Sequence, residues 1–335
     1  MELHKIETEH PFIGYGESRQ GGRSENQDSF GFADTKFGLL VTVCDGMGGG
    51  PGGKTASSIA VKEIIDGVIE ANDDETPSNA LLKAIHRANL AIVSSAEENP
   101  RLKGMGTTCT ALLINKGSAV IAHVGDSRVY QLRHHRKVFR TFDHSLVFGL
   151  VKEKVITEEQ ARLSDQSNVI TRALGLDAKL EIDITERAYE KGDRFMLCTD
   201  GIHGTMPEKE LILKATKSKN VGQTVDDLAT QVDGEGRRNG GGHDNLTIAI
   251  IETKQNSILK EKMSTRNKFI LVGIATLLVV SCILNITQCS SNNKPKNNEV
   301  SSLVYDTLIQ TDSTLYLISI TDSNKYDTII CTKKQ

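Results

Sequence analysis

Short apolar runs are spread over the first three quarters of the chain, and their length and composition predict β-strands. The runs lie at residues 37–46, 108–114, 119–125, 128–133, 180–189, 193–201 and 246–252. The three runs between 108 and 133 are separated only by short turn sequences rich in Asn, Gly, Asp and Ser. Connections this short join antiparallel strands, so we predict an antiparallel meander there.

Apolar residues recur at helical spacing in the segments between these runs. Residues 55–71 form one predicted helix, and residues 78–96 form a second, which Thr76 and Pro77 open as cap and first-turn residue. Residues 143–175 form a polar insertion that we expect to be mainly helical, with Thr157 as an N-cap. A further helix is predicted over 208–232 and a glycine-rich loop over 234–245.

One long apolar run has no polar face, which favours a membrane span over the alternative of a buried core helix. Residues 269–286 contain no charged side chain over 18 positions, enough for a helix of about 27 Å across a bilayer. Residues 257–268 carry four basic side chains and one acidic one. Because basic flanks stay in the cytoplasm, we expect 1–256 to be a cytoplasmic domain, 257–268 a basic linker, 269–286 a transmembrane helix and 287–335 an extracytoplasmic tail, β in character.

Cysteine positions are compatible with this division. Cys44, Cys109 and Cys198 lie in or beside strand-like runs and are expected to be buried thiols. Cys289 and Cys331 fall in the tail, where a disulfide and two free thiols are equally open. No Cys or His spacing typical of a structural zinc site occurs.

The charge balance excludes one class of function. The 335 residues carry a formal net charge of −3, with 25% charged and 38% hydrophobic residues. A globular core is therefore possible, and there is no basic excess for binding the phosphate backbone of a nucleic acid.

Four aspartates stand at the ends of apolar runs or in glycine-rich turns: Asp28, Asp45, Asp200 and Asp244. A strand end fixes the backbone of such a residue and aims its carboxylate away from the sheet, while a following glycine admits a close neighbour. Converging carboxylates repel one another unless a divalent cation lies between them, and oxygen ligands favour Mg²⁺ or Mn²⁺. Each aspartate taken alone is equally compatible with a turn or a helix cap.

A competing pattern runs from Gly48 to Thr55, which satisfies the spacing of a phosphate-binding P-loop. A P-loop NTPase is therefore the alternative enzyme. Pro51 would remove a backbone donor from the phosphate cradle, and the meander at 108–133 lacks the crossover helices of a nucleotide-binding fold.

Eight motifs in order carry a family resemblance: RSENQD (23–28), VCDGMGG (43–49), GMGTTCTALL (104–113), HVGDSRVY (123–130), DHSLV (143–147), NVITRALG (168–175), LCTDGIHG (197–204) and GGHDNLTIAII (241–251). Over residues 12–252 the chain resembles the bacterial metal-dependent protein serine/threonine phosphatases of the PPM, or type 2C, family. The resemblance implies an α+β fold, a four-layer α-β-β-α sandwich of two antiparallel sheets with a metal centre at one edge.

The resemblance also implies roles for individual residues. Asp45 would bridge two metal ions, Asp200 and Asp244 would complete the first site, and the Gly46 carbonyl would contribute to the second. Asp28 would hold metal-bound water, and Asp126 with Asp200 would hold a weaker third ion. Arg23 would bind the substrate phosphate, with Gln27 and Asn245 in support. Two ions, Mg²⁺ or Mn²⁺, would acidify a water that attacks phosphorus in line.

Three positions depart from the family pattern. Gln27 stands where many members have Glu, and Met47 stands where eukaryotic members have a histidine proposed as general acid. Lys54 replaces a common acidic residue and is expected to be a solvated charge. His144, His203 and His243 are candidate proton donors in place of the missing histidine.

These observations predict a membrane-anchored phosphatase acting on phosphoserine and phosphothreonine of cytoplasmic proteins, opposing a protein kinase. The alternatives are the P-loop NTPase and a non-catalytic, membrane-tethered module that binds phosphoproteins.

Overall fold

The computed structural model describes residues 3–48, 51–259, 307–311, 314–320 and 326–333. The chain forms two compact units, Met1–Glu261 and Lys262–Gln335. In the first unit the strands are β1 (His4–Ile6), β2 (Phe12–Arg19), β3 (Asp28–Thr35), β4 (Gly38–Met47), β5 (Gly106–Thr107), β6 (Cys109–Ile114), β7 (Ala119–Val124), β8 (Arg128–Arg133), β9 (Arg136–Arg140), β10 (Asp183–Arg187), β11 (Arg194–Cys198) and β12 (Leu246–Thr253). Its helices are α1 (Pro51–Glu70), α2 (Pro77–Glu98), α3 (Leu146–Lys152), α4 (Glu158–Arg162), α5 (Asp200–His203), α6 (Glu208–Lys217) and α7 (Val221–Arg238).

Two antiparallel sheets make up the centre of this unit. One has the order β1-β2-β12-β11-β8-β9, and the other has the order β10-β7-β6-β4-β3, with the short β5 beside β4. The pairing of β6 with β7 confirms part of the predicted meander. The third strand, β8, belongs to the other sheet, where it pairs with β11. Every pair of strands in the described residues is antiparallel, which a P-loop fold with its parallel sheet does not allow.

The period of two along the strands places the sheets face to face. In β4, Leu39, Val41 and Val43 belong to the core between the two sheets, with side chains of β11 and β12. Leu40 and Cys44 point the other way, into a core closed by α1 and α2.

The other sheet is covered in the same manner by α6 and α7, so that the layers are helix, sheet, sheet, helix. Cys44, Cys109 and Cys198 are buried in these cores as free thiols.

Helix signals in the sequence located most helices correctly but not all of their limits. Thr76 caps α2 as predicted, and Thr157 forms a capping box with Gln160 at the start of α4. The expectation that 143–175 is mainly helical is wrong, because only the short α3 and α4 form there. The predicted loop at 234–245 begins later, because α7 runs on to Arg238 despite Gly234 and Gly236.

The second unit contains β13 (Thr307–Thr311), β14 (Thr314–Ile320) and β15 (Tyr326–Lys333), paired antiparallel in that order. These strands lie within residues 287–335, the tail for which β character was predicted. In the described part of the chain no helix is long and apolar enough to cross a membrane. The predicted span 269–286, the linker positions after 259, and Cys289 lie outside the described residues.

Candidate metal centre

The first two acidic side chains are brought together by strand pairing. Asp28 begins β3 and lies opposite Asp45 near the end of β4. The backbone of Asp45 is held on both sides: its N–H donates to Thr108 Oγ1 at 2.9 Å, and its carbonyl accepts from Thr107 Oγ1 and Thr108 N–H at 2.8 Å each. The strand therefore fixes the Asp45 backbone and leaves its carboxylate available to the edge of the sheet.

Two threonines hold the buried carboxylate of Asp28. Thr199 Oγ1 and Thr247 Oγ1 donate to Asp28 Oδ2 at 3.0 and 2.6 Å. The other oxygen, Oδ1, is buried without a hydrogen-bond partner among the described residues. One oxygen is thus fixed, while its neighbour is unpaired.

Asp200 reaches the same place from the second sheet. It is the first residue of α5, directly after β11, and its buried Oδ1 also lacks a hydrogen-bond partner in the part of the chain described. Its side chain interacts with that of Asp45. Each of the two sheets therefore contributes carboxylates to one edge of the sandwich.

The aspartates lie close enough to act on one another's pKa values. Burial, opposed by the hydrogen bond from Thr247 and reinforced by the charge of Asp200, raises the pKa of Asp28 to about 7. Burial and the charge of Asp244 raise the pKa of Asp200 to about 6. Burial and neighbouring carboxylates also raise the pKa of Asp45 and of Asp126 well above the usual range.

A cavity of about 410 Å³ opens over this cluster. Its lining includes almost every residue predicted for the site: Arg23, Gln27, Asp45, Gly46, Asp126, Asp200, Asp244 and Asn245. Asp28 is not part of this lining and borders a different cavity with Lys54, although its charge acts on Asp45. Met47 also lines the larger cavity.

Loops supply the other side of the cavity. Arg23 Nη2 donates to Asp244 Oδ2 at 2.9 Å, and both side chains are about half exposed. The buried Asn245 joins the loops: its Oδ1 accepts from Gln27 N–H at 2.9 Å, and its Nδ2 donates to the carbonyls of Gln20 and Glu25 at 2.7 and 2.8 Å. Asn245 thereby fixes the loop that carries Arg23.

In the pairs Asp45-Gly46 and Asp200-Gly201, close packing of the backbone requires the glycine. A Cβ on Gly46 would lie 2.1 Å from the carbonyl oxygen of Gly53, and one on Gly201 would lie 1.9 Å from that of Asn245. Backbone cannot move aside at such distances, so any side chain here would disturb the residues beside the carboxylates.

The donor set fits divalent cations. Buried, unpaired carboxylate oxygens of Asp28 and Asp200 are costly without a positive partner, and four carboxyl groups with raised pKa values share one edge of the fold. Oxygen-only ligands of this kind match Mg²⁺ or Mn²⁺. Asp45, Asp126, Asp200 and Asp244 are the side chains that could hold the ions directly, with the backbone of Gly46 beside them.

Lys54 does not act as a P-loop lysine. Its Nζ donates to the carbonyl of Asp28 at 2.8 Å and to Ser29 Oγ at 3.3 Å, so it joins α1 to the start of β3. The P-loop alternative is therefore wrong, and so is the expectation that this ammonium is merely solvated.

The three candidate histidines do not line the cavity over Asp45. His203 Nε2 pairs with the carbonyl of Asp126 at 3.0 Å, and burial lowers the pKa of His203 well below its usual range. His243 Nε2 pairs with Asp233 at 2.9 Å, on the side of α7. His144 contacts Gly125 and Asp183. None of the three is placed to protonate a leaving group in that cavity.

Sequence reasoning missed the threonines that hold the aspartates: Thr107, Thr108, Thr199 and Thr247. Threonine is a common strand residue, so its presence in these runs carries no signal of a site. Only the CTDG context, where Thr199 adjoins the predicted ligand Asp200, could have indicated one of them.

Comparison with known proteins identifies relatives of this chain. Residues 15–238 match the family model described as protein phosphatase 2C. The serine/threonine phosphatase Stp of Listeria monocytogenes is 34% identical over 237 residues, which cover 69% of this chain and 91% of that protein. The structure of Stp1 from Staphylococcus aureus superposes with a TM-score of 0.66 at 30% identity, covering 75% of this chain and 99% of that one. The catalytic domain of PstP, solved with two manganese ions, gives a TM-score of 0.62 at 30% identity and covers 72% and 97% of the two chains.

Proposed function

The chain belongs to the protein phosphatase 2C family and is a serine/threonine protein phosphatase, and we propose that it works through two divalent cations held over Asp45. This proposal is carried by the unpaired buried oxygen of Asp200, which lines the same cavity as Arg23, together with that of Asp28, whose charge acts on Asp45. The relative with two manganese ions supports it.

Different aspartates of the site would bind the ions and the water. Asp45 and Asp200 come from opposite sheets and would hold the ions together with Asp244, and Asp126 would assist a third. When bound, the ions lower the pKa of a coordinated water and offset charge on the phosphoryl oxygens. Asp28, with Oδ2 held by two threonines, presents Oδ1 as a fixed acceptor for water.

Arg23 would orient the substrate. Its guanidinium lies at the cavity wall, half exposed and paired only at one edge with Asp244 in the contacts described. The planar donors of arginine match two phosphoryl oxygens, so this group can hold the phosphate in line with the attacking water. With Met47 in the cavity and no histidine lining it, the leaving oxygen would take its proton from solvent at the site.

The direct test measures hydrolysis of a phosphothreonine peptide by the full-length chain with Mn²⁺, with and without chelator. We expect activity to require the metal and to be lost in Asp200→Asn, while Asp74→Asn, an exposed control, keeps it. Turnover that ignores chelator or the Asp200 substitution would refute the metal mechanism, and peptide binding without turnover would favour a non-catalytic binding module.

We also propose that residues 269–286 anchor the protein in the cell membrane, with the phosphatase domain in the cytoplasm, where it would oppose a serine/threonine kinase. The uncharged run of 18 residues and the basic flank before it support this topology. In intact cells treated with a membrane-impermeant reductant, which opens any disulfide between the two tail cysteines, a membrane-impermeant maleimide should label the full chain but not a Cys289→Ser, Cys331→Ser variant. Equal labelling of both proteins, or none of either, would contradict it.

A further inference from the structure

A second group of metal-ligand side chains lies outside the carboxylate cluster. His123, His144 and Asp183 each place one ligand atom within 4.8 Å of the others. His123 is on β7 and lies directly opposite Asp183 on β10, whereas His144 comes from the start of the insertion. We propose that these three residues form a binding site for a transition-metal cation of the Zn²⁺ class.

The strongest support comes from His123. Its side chain is 1% exposed, and neither ring nitrogen makes a hydrogen bond of normal geometry within the described residues, although the backbone of Ser127 is close enough to interact with the ring. Burial also lowers the pKa of this histidine to about 3, so the ring is neutral and has a lone pair available. An unpaired, buried imidazole is unfavourable unless another group uses that lone pair.

His144 and Asp183 complete a set of two nitrogens and one oxygen. The His144 ring lies 4.6 Å from that of His123, and His144 Nε2 is 3.2 Å from Asp183 Oδ2. Imidazole nitrogen suits Zn²⁺, and two histidines with one carboxylate leave its fourth position for water. This preference differs from that of the oxygen-only cluster, which favours harder ions.

A cation already contacts this group. Arg172 Nη1 lies 3.2 Å from Asp183 Oδ1 and 3.4 Å from His144 Nε2, and Nη2 pairs with Glu181 at 2.7 Å. Arg172 and Asp183 are partly exposed. The guanidinium can turn fully to Glu181 and leave Asp183 to an incoming metal ion.

Some rearrangement is required. Tetrahedral zinc with bonds of about 2.0 Å holds its ligands roughly 3.3 Å apart. His144 Nε2 and Asp183 Oδ2 already lie 3.2 Å apart, whereas ligand atoms that are now up to 4.8 Å apart must approach by up to roughly 1.5 Å, and the half-exposed Asp183 can supply part of this movement. In the metal-free structure, His144 Nδ1 accepts a hydrogen bond from Gly125 N–H at 3.2 Å. Zinc binding through Nε2 would move the ring proton to Nδ1 and so break this hydrogen bond. Because Gly125 precedes Asp126, zinc here would also loosen the loop beside the phosphatase centre.

The test is zinc binding by the full-length chain, measured by competition with a chromophoric zinc indicator in millimolar Mg²⁺, which occupies the carboxylate centre. We expect one equivalent of zinc to bind. Asp183→Asn should weaken it at least about tenfold, whereas the matched control Glu181→Gln should not. Arg172→Ala should tighten binding, because it removes the competing cation.

Two further measurements keep the proposal independent of the phosphatase centre. Zinc binding should persist in Asp200→Asn, and Co²⁺ bound in Mg²⁺ should show the intense visible absorption of a tetrahedral site, lost in His144→Asn. Circular dichroism and the melting temperature confirm that each variant is folded. Absence of zinc binding to the unaltered chain, or binding that ignores Asp183→Asn and disappears with Asp200→Asn, would overturn the proposal without affecting the proposed phosphatase mechanism.

Discussion

Asp45 and Asp244 line the same cavity but are held in opposite ways. Asp45 belongs to a central strand, where two threonines fix its backbone, and its carboxyl has a strongly raised pKa. Asp244 follows a run of glycines with positive φ, is about 40% exposed, and pairs with Arg23. One half of the site is therefore rigid and electrostatically strained, while the other half can exchange partners.

The difference indicates a division of tasks. Burying a rigid set of carboxylates lowers the stability of the metal-free protein, because the charged groups lose their hydration on folding. Cation binding then stabilises the folded protein. The loop half has to release and recapture Arg23 as phosphate enters and leaves, so exposure and weak pairing suit it. Substitutions in the two halves should therefore affect different measurements.

The largest expected effect follows Asp45→Asn in the rigid half. Because this carboxyl lies between the others, its removal should reduce kcat by about 10²–10³-fold. The same change relieves like-charge repulsion, so the metal-free protein should melt at a higher temperature and gain less stability from Mn²⁺. Steady-state kinetics and thermal melts measure the two effects, and a lower metal-free melting temperature would show that the carboxylates are not in conflict.

Arg23→Lys in the loop half should have a smaller effect and a different character. Lysine keeps the charge but loses the two-pronged geometry, so we expect kcat/KM to fall roughly tenfold, with inhibition by inorganic phosphate weakened to a similar extent. The melting temperature should not change, because the side chain is half exposed. Arg136→Lys on the exposed strand β9 is the matched control, and equal losses in both variants would remove Arg23 from phosphate binding.

Asn245→Ala tests the connection between the halves. It removes the partner of a partly buried backbone N–H and of two carbonyls of the Arg23 loop, a loss of about 1–3 kcal/mol. We expect a drop of several degrees in melting temperature and a rise in KM of a few fold. Combined with Arg23→Lys, the kinetic effects should be less than additive, because both act on the same loop. Strict additivity would mean that Asn245 stabilises the fold without positioning Arg23.

The contrast between the aspartates on strands and the residues on loops also explains which parts of the site could be predicted from the sequence. Asp45 and Asp200 were recognisable because each follows an apolar run, where a carboxylate is out of place in a core, whereas Asp28 was recognisable only through the RSENQD motif. The short turns predicted the pairing of β6 with β7 but not the move of β8 to the other sheet. β2 and β3 were not predicted, because glycines and polar residues interrupt the alternation in both strands.

The supporting contacts were harder to foresee. The threonines under Asp28 come from β12 and from the residue before α5, and only the pairing of distant strands brings them together. In the insertion at 143–175 the sequence carried a helix signal, but long helices did not form. Its polar sequence has good helix caps, but the segments between them are too short for long helices, and α3 and α4 bury their apolar side chains against each other.

The smallest expected effect is on stability as a function of pH, and it isolates the rigid half. The pKa of Asp28 rises to about 7 and that of Asp200 to about 6, so the folded, metal-free protein retains protons that the unfolded chain releases near pH 4. The favourable contribution is complete below the unfolded pKa and is lost as pH rises through the folded values. The metal-free protein should therefore melt at a lower temperature at pH 7.5 than at pH 5, and each kcal/mol lost lowers the melting temperature by about 2–4 °C in a domain of this size. Saturating Mn²⁺ should raise the melting temperature much more at pH 7.5 than at pH 5, because the ions compete with those protons.

Two variants test which groups cause this pH dependence. Asp45→Asn should flatten the dependence of the metal-free melting temperature on pH, while Arg23→Lys should leave it intact. A pH dependence unchanged in both variants would place the responsible groups outside the cluster.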